Sequence, residues 1–237
     1  MSSSIKNRIK TNLIVRSFYT LFRQTISFSL RFTPLQSISD PQFHLAVNDF
    51  LHPIKLSCLG KVKPYTLNTY TALSNAYLLA RKATKENIKG SYVECGNLSS
   101  GVALIMALVD RDRDIWHFDF SGNVPELSHH IADAISNLCL PAQKHHVIEK
   151  ASKGVLLDCK EEMGEIAILR LNSSFYEPTK SALEALYVQV AAGGFIVFDD
   201  YEGYLGCREA VKDFLTERGV ENLPVYMKNA GWILQKR

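Results

Sequence analysis

The sequence predicts an α/β fold: a mostly parallel sheet, helices on its faces, and an antiparallel hairpin at the C-terminal end. Three observations carry this. Phe195-Ile196-Val197-Phe198 follows Gly193-Gly194 and runs into Asp199-Asp200-Tyr201, an apolar stretch of the kind buried on both faces of a parallel sheet. Upstream, Glu165 to Asn172 reads as a second such strand, and the amphipathic segment Thr179 to Ala192 links the two, which makes a right-handed βαβ unit. Downstream, the apolar runs Pro224–Lys228 and Trp232–Gln235 are joined by Asn229-Ala230-Gly231, a connection that fits only a hairpin.

The remaining elements follow in chain order. Residues 33–64, with Pro34, Pro41, Pro53 and Pro64, read as an irregular connector holding one short helix from Pro41 to Phe50. A helix is expected from about Asn68 to Lys82. Ser91 to Gly96 is a short apolar strand ending in Glu94-Cys95-Gly96, followed by Ser99-Ser100-Gly101 and a helix from Val102 to Val109. Ile115 to Asp119 is the next strand, His129-His130 falls on a helix surface, and His145-His146 leads into a strand at Val147-Ile148-Glu149. A helix from Cys207 to Arg218 precedes the hairpin. The chain divides into a basic arm with its connector, residues 1–60, and an α/β domain, residues 61–237.

Open α/β sheets bind their ligands beyond the carboxyl ends of the strands. Glu94, Gly96, Asp119, Asn172, Asp199 and Asp200 all fall there. Asp119 stands 25 residues after Glu94, a separation that suits an acid accepting hydrogen bonds from a ribose while the glycine turn lets a ligand approach the backbone. The spacing Gly96-x-x-x-x-Gly101 is not a dinucleotide fingerprint and lacks the lysine of a phosphate loop. Asp199-Asp200 suits a hard cation such as Mg²⁺ or a general base; the plainer alternative has one aspartate capping the next helix and the other solvated. Hydride-transfer folds end in parallel strands, so a hairpin after the fifth strand points to the Rossmann-like sheet of S-adenosylmethionine-dependent methyltransferases, at the level of fold alone.

A set of motifs in fixed order carries a family resemblance. Pro64-Tyr65-Thr66, Val93-Glu94-Cys95-Gly96, Leu169-Arg170-Leu171-Asn172 continuing to Phe175-Tyr176-Glu177-Pro178-Thr179, and Asp199-Asp200-Tyr201 with Gly206 to Val211 resemble the macrocin, mycinamicin and novobiocin sugar O-methyltransferase family over about residues 62–237. The resemblance implies a class I methyltransferase that moves a methyl group from S-adenosylmethionine to a hydroxyl of a sugar or other small molecule with the help of Mg²⁺. It implies cofactor binding by Tyr65, Thr66, Glu94, Gly96 and Asp119, a metal held by Asn172, Asp199 and Asp200, and catalytic roles for Asn172 and Asp200.

The chain also departs from that pattern. The family's Leu-Asp-Gly-Asp-Leu-Tyr-Glu-Ser-Thr reads here Leu171-Asn172-Ser173-Ser174-Phe175-Tyr176-Glu177-Pro178-Thr179, so both acids of the loop are gone. Asn172 can offer a carbonyl oxygen to a cation but cannot take a proton from a hydroxyl. The family's Trp-Arg-Gly-Gly becomes Leu98-Ser99-Ser100-Gly101, and after Asp119 the chain reads Phe120-Ser121-Gly122-Asn123-Val124-Pro125 with its glycine displaced. Three readings stay open: an active methyltransferase with a weakened or rebuilt metal site, a methyltransferase-like binding or scaffold protein, and another nucleotide-dependent α/β enzyme.

Charge and cysteine usage narrow the setting. The net charge is +3, yet residues 1–39 hold Lys6, Arg8, Lys10, Arg16, Arg23 and Arg31 and no acid. The rest of the chain is therefore acidic on balance, which argues against nucleic acid as a partner. In the arm, Ile5, Ile9, Leu13, Phe18, Leu21 and Phe22 recur at roughly helical spacing. Residues 1–33 fit a peripheral helix on an anionic membrane, an organelle transit peptide, or a helix packed on the domain or in a homo-oligomer contact. No apolar run is long enough to span a bilayer. Cys58, Cys95, Cys139, Cys159 and Cys207 show neither disulfide nor zinc spacing, so a reducing, cytoplasmic setting is expected. Cys95 reads as a small buried side chain.

Overall fold

The computed structural model describes residues 52–96, 101–120, 127–227 and 231–236. The basic arm, the helix expected from Pro41 to Phe50, the turn at 97–100, the segment 121–126 and the hairpin tip 228–230 lie outside the described residues.

Seven strands form one sheet in the order β3-β2-β1-β4-β5-β7-β6. They are β1 (Ser91–Gly96), β2 (Ile115–Asp119), β3 (His145–Ile148), β4 (Ile166–Asn172), β5 (Val190–Phe198), β6 (Val225–Met227) and β7 (Gly231–Gln235). The first five are parallel, while β7 pairs antiparallel with both β5 and β6. The sheet is thus the expected one, with β7 inserted between β5 and β6. Strand order reverses beside β1, so the carboxyl ends of β1 and β4 flank a crevice where open sheets take ligands.

Helices cover both faces because the strands are apolar on both sides. Tyr92, Ile115, Ile168, Phe195 and Val197 point to the face packed by α1 (Pro53–Val62), α2 (Tyr70–Lys85) and α3 (Gly101–Val109). Val93, Cys95, Phe118, Leu169, Leu171 and Ile196 point to the other, packed by α7 (Tyr176–Leu186) and α8 (Leu205–Glu217). The helix α4 (Leu127–Asn137) and the short α5 (Lys153–Asp158) and α6 (Lys160–Met163) complete the described helices.

Several expectations need correction. The connector is not irregular at its C-terminal end: Pro53 opens α1, where a missing N–H costs nothing, and Leu59 and Val62 are fully buried in the core. The core thus begins ahead of residue 61. The crossover helix α7 ends at Leu186, and β5 starts at Val190. Within β5 the pairing with β4 skips from Ile166↔Val190 to Ile168↔Phe195, so Gly193-Gly194 lies within a bulge rather than before the strand. β3 already starts at His145, and His145 Nδ1 lies 3.2 Å from Nε2 of His117 on β2.

Candidate active site

Strand register assembles the site. Glu94 pairs in register with Arg170, and Gly96 stands between Asp119 and Asn172. Side chains alternate along a strand, so Glu94, Arg170 and Asn172 share the face covered by α2 and α3. Asp199 follows directly after β5, tied by its N–H to the Leu171 carbonyl at 3.1 Å.

At the centre lies Arg170, 3% exposed. Its Nη1 donates to Glu94 Oε1 and its Nη2 to Asp199 Oδ2. Burial works against the guanidinium charge, but Asp199 and Glu94 outweigh it and raise the Arg170 pKa further. Glu94 is fully buried, and that burial pushes its carboxyl above the ordinary range against the lowering by Arg170. Its second oxygen, Oε2, has no hydrogen-bond partner among the described residues. The backbone of Ala103 at the start of α3 also lies close enough to lower the Glu94 pKa, and a buried acceptor of this kind is open to a further donor.

A cleft of about 430 Å³ opens above this cluster, floored by Arg170, Asn172, Asp199 and Asp200 and walled by Asn75 of α2, Met106 of α3 and Trp232 of β7. Asp200 Oδ2 accepts from Ser174 Oγ at 2.7 Å. Trp232 donates from Nε1 to Glu202 at 3.3 Å and lies near Tyr226, ring centroids 5.7 Å apart. Both Tyr226 and Glu202 also line the cleft.

The expected site residues fall into two groups. Asn172, Asp199 and Asp200 meet at the cleft floor, while Glu94, Asp119 and Thr66 are buried beside it at 0%, 1% and 8% exposure, and Tyr65 is half-buried. Thr66 packs on the first residue of α3, where a Cβ on Gly101 would stand 2.2 Å from its Oγ1. Tyr176, in the motif that follows β4, donates to Asp213 of α8 at 3.0 Å. Sequence reasoning missed Arg170, Ser174, Glu202 and Trp232 as site residues. For Arg170 a signal existed: a lone cation inside an otherwise apolar strand must be paired when buried.

Cofactor and metal fare differently against this geometry. A buried carboxylate oxygen of Glu94 with no partner among the described residues, Gly96 at the end of β1 and the acid Asp119 at the end of β2 fit a cofactor with amino and hydroxyl donors. The divalent metal fits less well. Asn172 is neutral, Asp199 gives one oxygen to Arg170, and Asp200 gives one to Ser174. No group of three or more His, Cys, Asp or Glu side chains that could hold a metal ion occurs among the described residues.

The sheet order and terminal antiparallel pair are those of the class I S-adenosylmethionine-dependent methyltransferases, and solved structures of that class superpose on the chain. The O-methyltransferase NovP does so with a TM-score of 0.65 at 20% identity, covering 73% of this chain and 82% of its own. CalS11, a TDP-rhamnose 3'-O-methyltransferase of calicheamicin biosynthesis, gives a TM-score of 0.55 at 17% identity over 91% of this chain and 93% of its own.

Within that class, residues 150–232 match the family Macrocin-O-methyltransferase (TylF). The 8-demethyl-8-(2,3-dimethoxy-alpha-L-rhamnosyl)-tetracenomycin-C 4'-O-methyltransferase of Streptomyces olivaceus is 26% identical over 69% of this chain and 74% of its own. The mycinamicin III 3''-O-methyltransferase of Micromonospora griseorubida is 26% identical over 70% and 76%. Over about two thirds of its length the chain is thus similar to these O-methyltransferases.

Proposed function

We propose that this protein transfers a methyl group from S-adenosylmethionine to a hydroxyl of a sugar or a similar small molecule. The observation that supports this reading best is the convergence of Asn172, Asp199 and Asp200 at one crevice of a methyltransferase sheet, open to a cleft with an aromatic wall, with Glu94 buried behind them against Arg170. Glu94, Gly96 and Asp119, with Tyr65 and with Thr66 against the start of α3, would hold the cofactor. When bound, it supplies a methyl group on a sulfonium sulfur, which an acceptor oxygen takes as it loses its proton.

Asp200 is the carboxylate placed to take that proton, with Ser174 fixing one of its oxygens. Asn172 can orient the hydroxyl through its amide, but it is no base. Trp232 and Tyr226 offer flat apolar faces, and Glu202 a hydrogen-bond acceptor, for a sugar ring. Such a ring presents C–H bonds on one side and hydroxyls at its rim.

The test is methyl transfer from labelled S-adenosylmethionine to a panel of deoxysugar glycosides. Label is expected in at least one hydroxyl product, and Asp200→Asn should lower the rate by about 10²- to 10⁴-fold, the usual effect of a general base. Cofactor binding with no transfer to any hydroxyl would favour a methyltransferase-like binding protein. Asn172, standing where the relatives' pattern has an acid, is the observation behind that second reading.

A further inference from the structure

We propose that Arg170 is the resident cation of this cleft and that the site works without a divalent metal. The inference rests on the methyltransferase reading of the cleft, and it disagrees with the Mg²⁺ that the family resemblance implies. Its basis is a charge count at named atoms. Arg170 bridges Glu94 and Asp199 in a pocket that is closed to water at its base. Asp199 Oδ2 accepts directly from the Arg170 guanidinium, so much of its negative charge is already matched. Asn172 adds none. What remains for an incoming cation is Asp200, one oxygen of which Ser174 occupies.

A divalent ion binding here would meet the guanidinium across the same carboxylate. Like charges at such separation repel strongly where water is scarce, and Mg²⁺ gives up its waters only for a favourable oxygen set. Arg170 instead supplies one positive charge with a fixed planar fork. It holds the Asp199 carboxylate at the end of β5 and ties it to Glu94 at the end of β1. In this arrangement Arg170 is a positioning residue: it fixes the two acids that flank cofactor and acceptor, and it touches neither reacting atom.

The experiment is Mn²⁺ binding to the full chain, read by electron paramagnetic resonance without cofactor or acceptor, so its outcome is independent of the methyl-transfer assay. The wild type is expected to show no saturable binding tighter than about 0.1 mM, and its cofactor affinity should be the same in EDTA and in Mg²⁺. Arg170→Met frees Asp199 and should tighten Mn²⁺ at least about tenfold. If that variant does not fold, Glu94→Gln/Arg170→Met removes the buried cation together with one of its anions and should show the same gain. Saturable wild-type binding below 0.1 mM that Asp199→Asn abolishes would overturn the proposal. So would an absence of any gain in the folded Arg170 variant, because the guanidinium would then not be what fills the cation's place.

Discussion

Gly96 has a φ of +136°, and a Cβ on it would stand 1.9 Å from the Asn172 carbonyl oxygen. Both facts demand glycine, one by backbone conformation and one by the approach of β4. Gly96→Ala should therefore cost at least about 2 kcal/mol of stability in denaturant unfolding, over and above any effect on a ligand. Arg170 is the second residue on which the site depends. Removing one partner of a buried ion pair typically costs about 3–5 kcal/mol, so Arg170→Ala should unfold at clearly lower denaturant than the wild type. The motif residues Glu94, Asn172, Asp199 and Asp200 were legible in the sequence because acids and amides at strand ends stand out against apolar runs. The bridge through Arg170 was not, since it depends on which residue of β4 lies beside Glu94, and strand register is not written in one segment alone.

At the scale of elements, β2 and β3 carry a liability in acid. His117 is fully buried, and burial, followed by the nearby His145 and His146, lowers its pKa to about 3; burial and His146 lower that of His145 to about 4. Both values lie below the unfolded value near 6.5. The unfolded chain therefore binds protons first as pH falls, and the stability present above about 6.5 is lost progressively down to the folded values. For His117 the slope is about 1.4 kcal/mol per pH unit. Urea unfolding between pH 7 and 4 should show this slope, and His117→Leu should reduce it by one proton; an unchanged slope would mean that His117 is not a buried neutral ring. The doublet His145-His146 gave no sign of this pairing, because the partner lies 28 residues away on a neighbouring strand. The helix α1 is hidden for another reason: four prolines between 33 and 64 suggest an irregular connector, though a proline at a helix's first position, as Pro53 is, starts it.

At the scale of the molecule, the sheet was legible from element order alone, since two apolar strands flanking a helix must be parallel and a three-residue connection must turn back. Residues 1–33 are basic, hold no acid and lie outside the stretch that carries the family resemblance. Deleting them should leave cofactor affinity unchanged, and any change in vesicle binding or particle size on deletion would assign that basic arm to a membrane surface or a subunit contact. No helix among the described residues is long and apolar enough to cross a membrane. Titration calorimetry shows whether the ends of β1 and β2 hold S-adenosylmethionine. A saturable heat is expected with the cofactor or its demethylated product, weakened about ten- to a hundredfold in Asp119→Ala, as for hydrogen bonds to a charged group. No heat and no thermal shift at millimolar cofactor would contradict it.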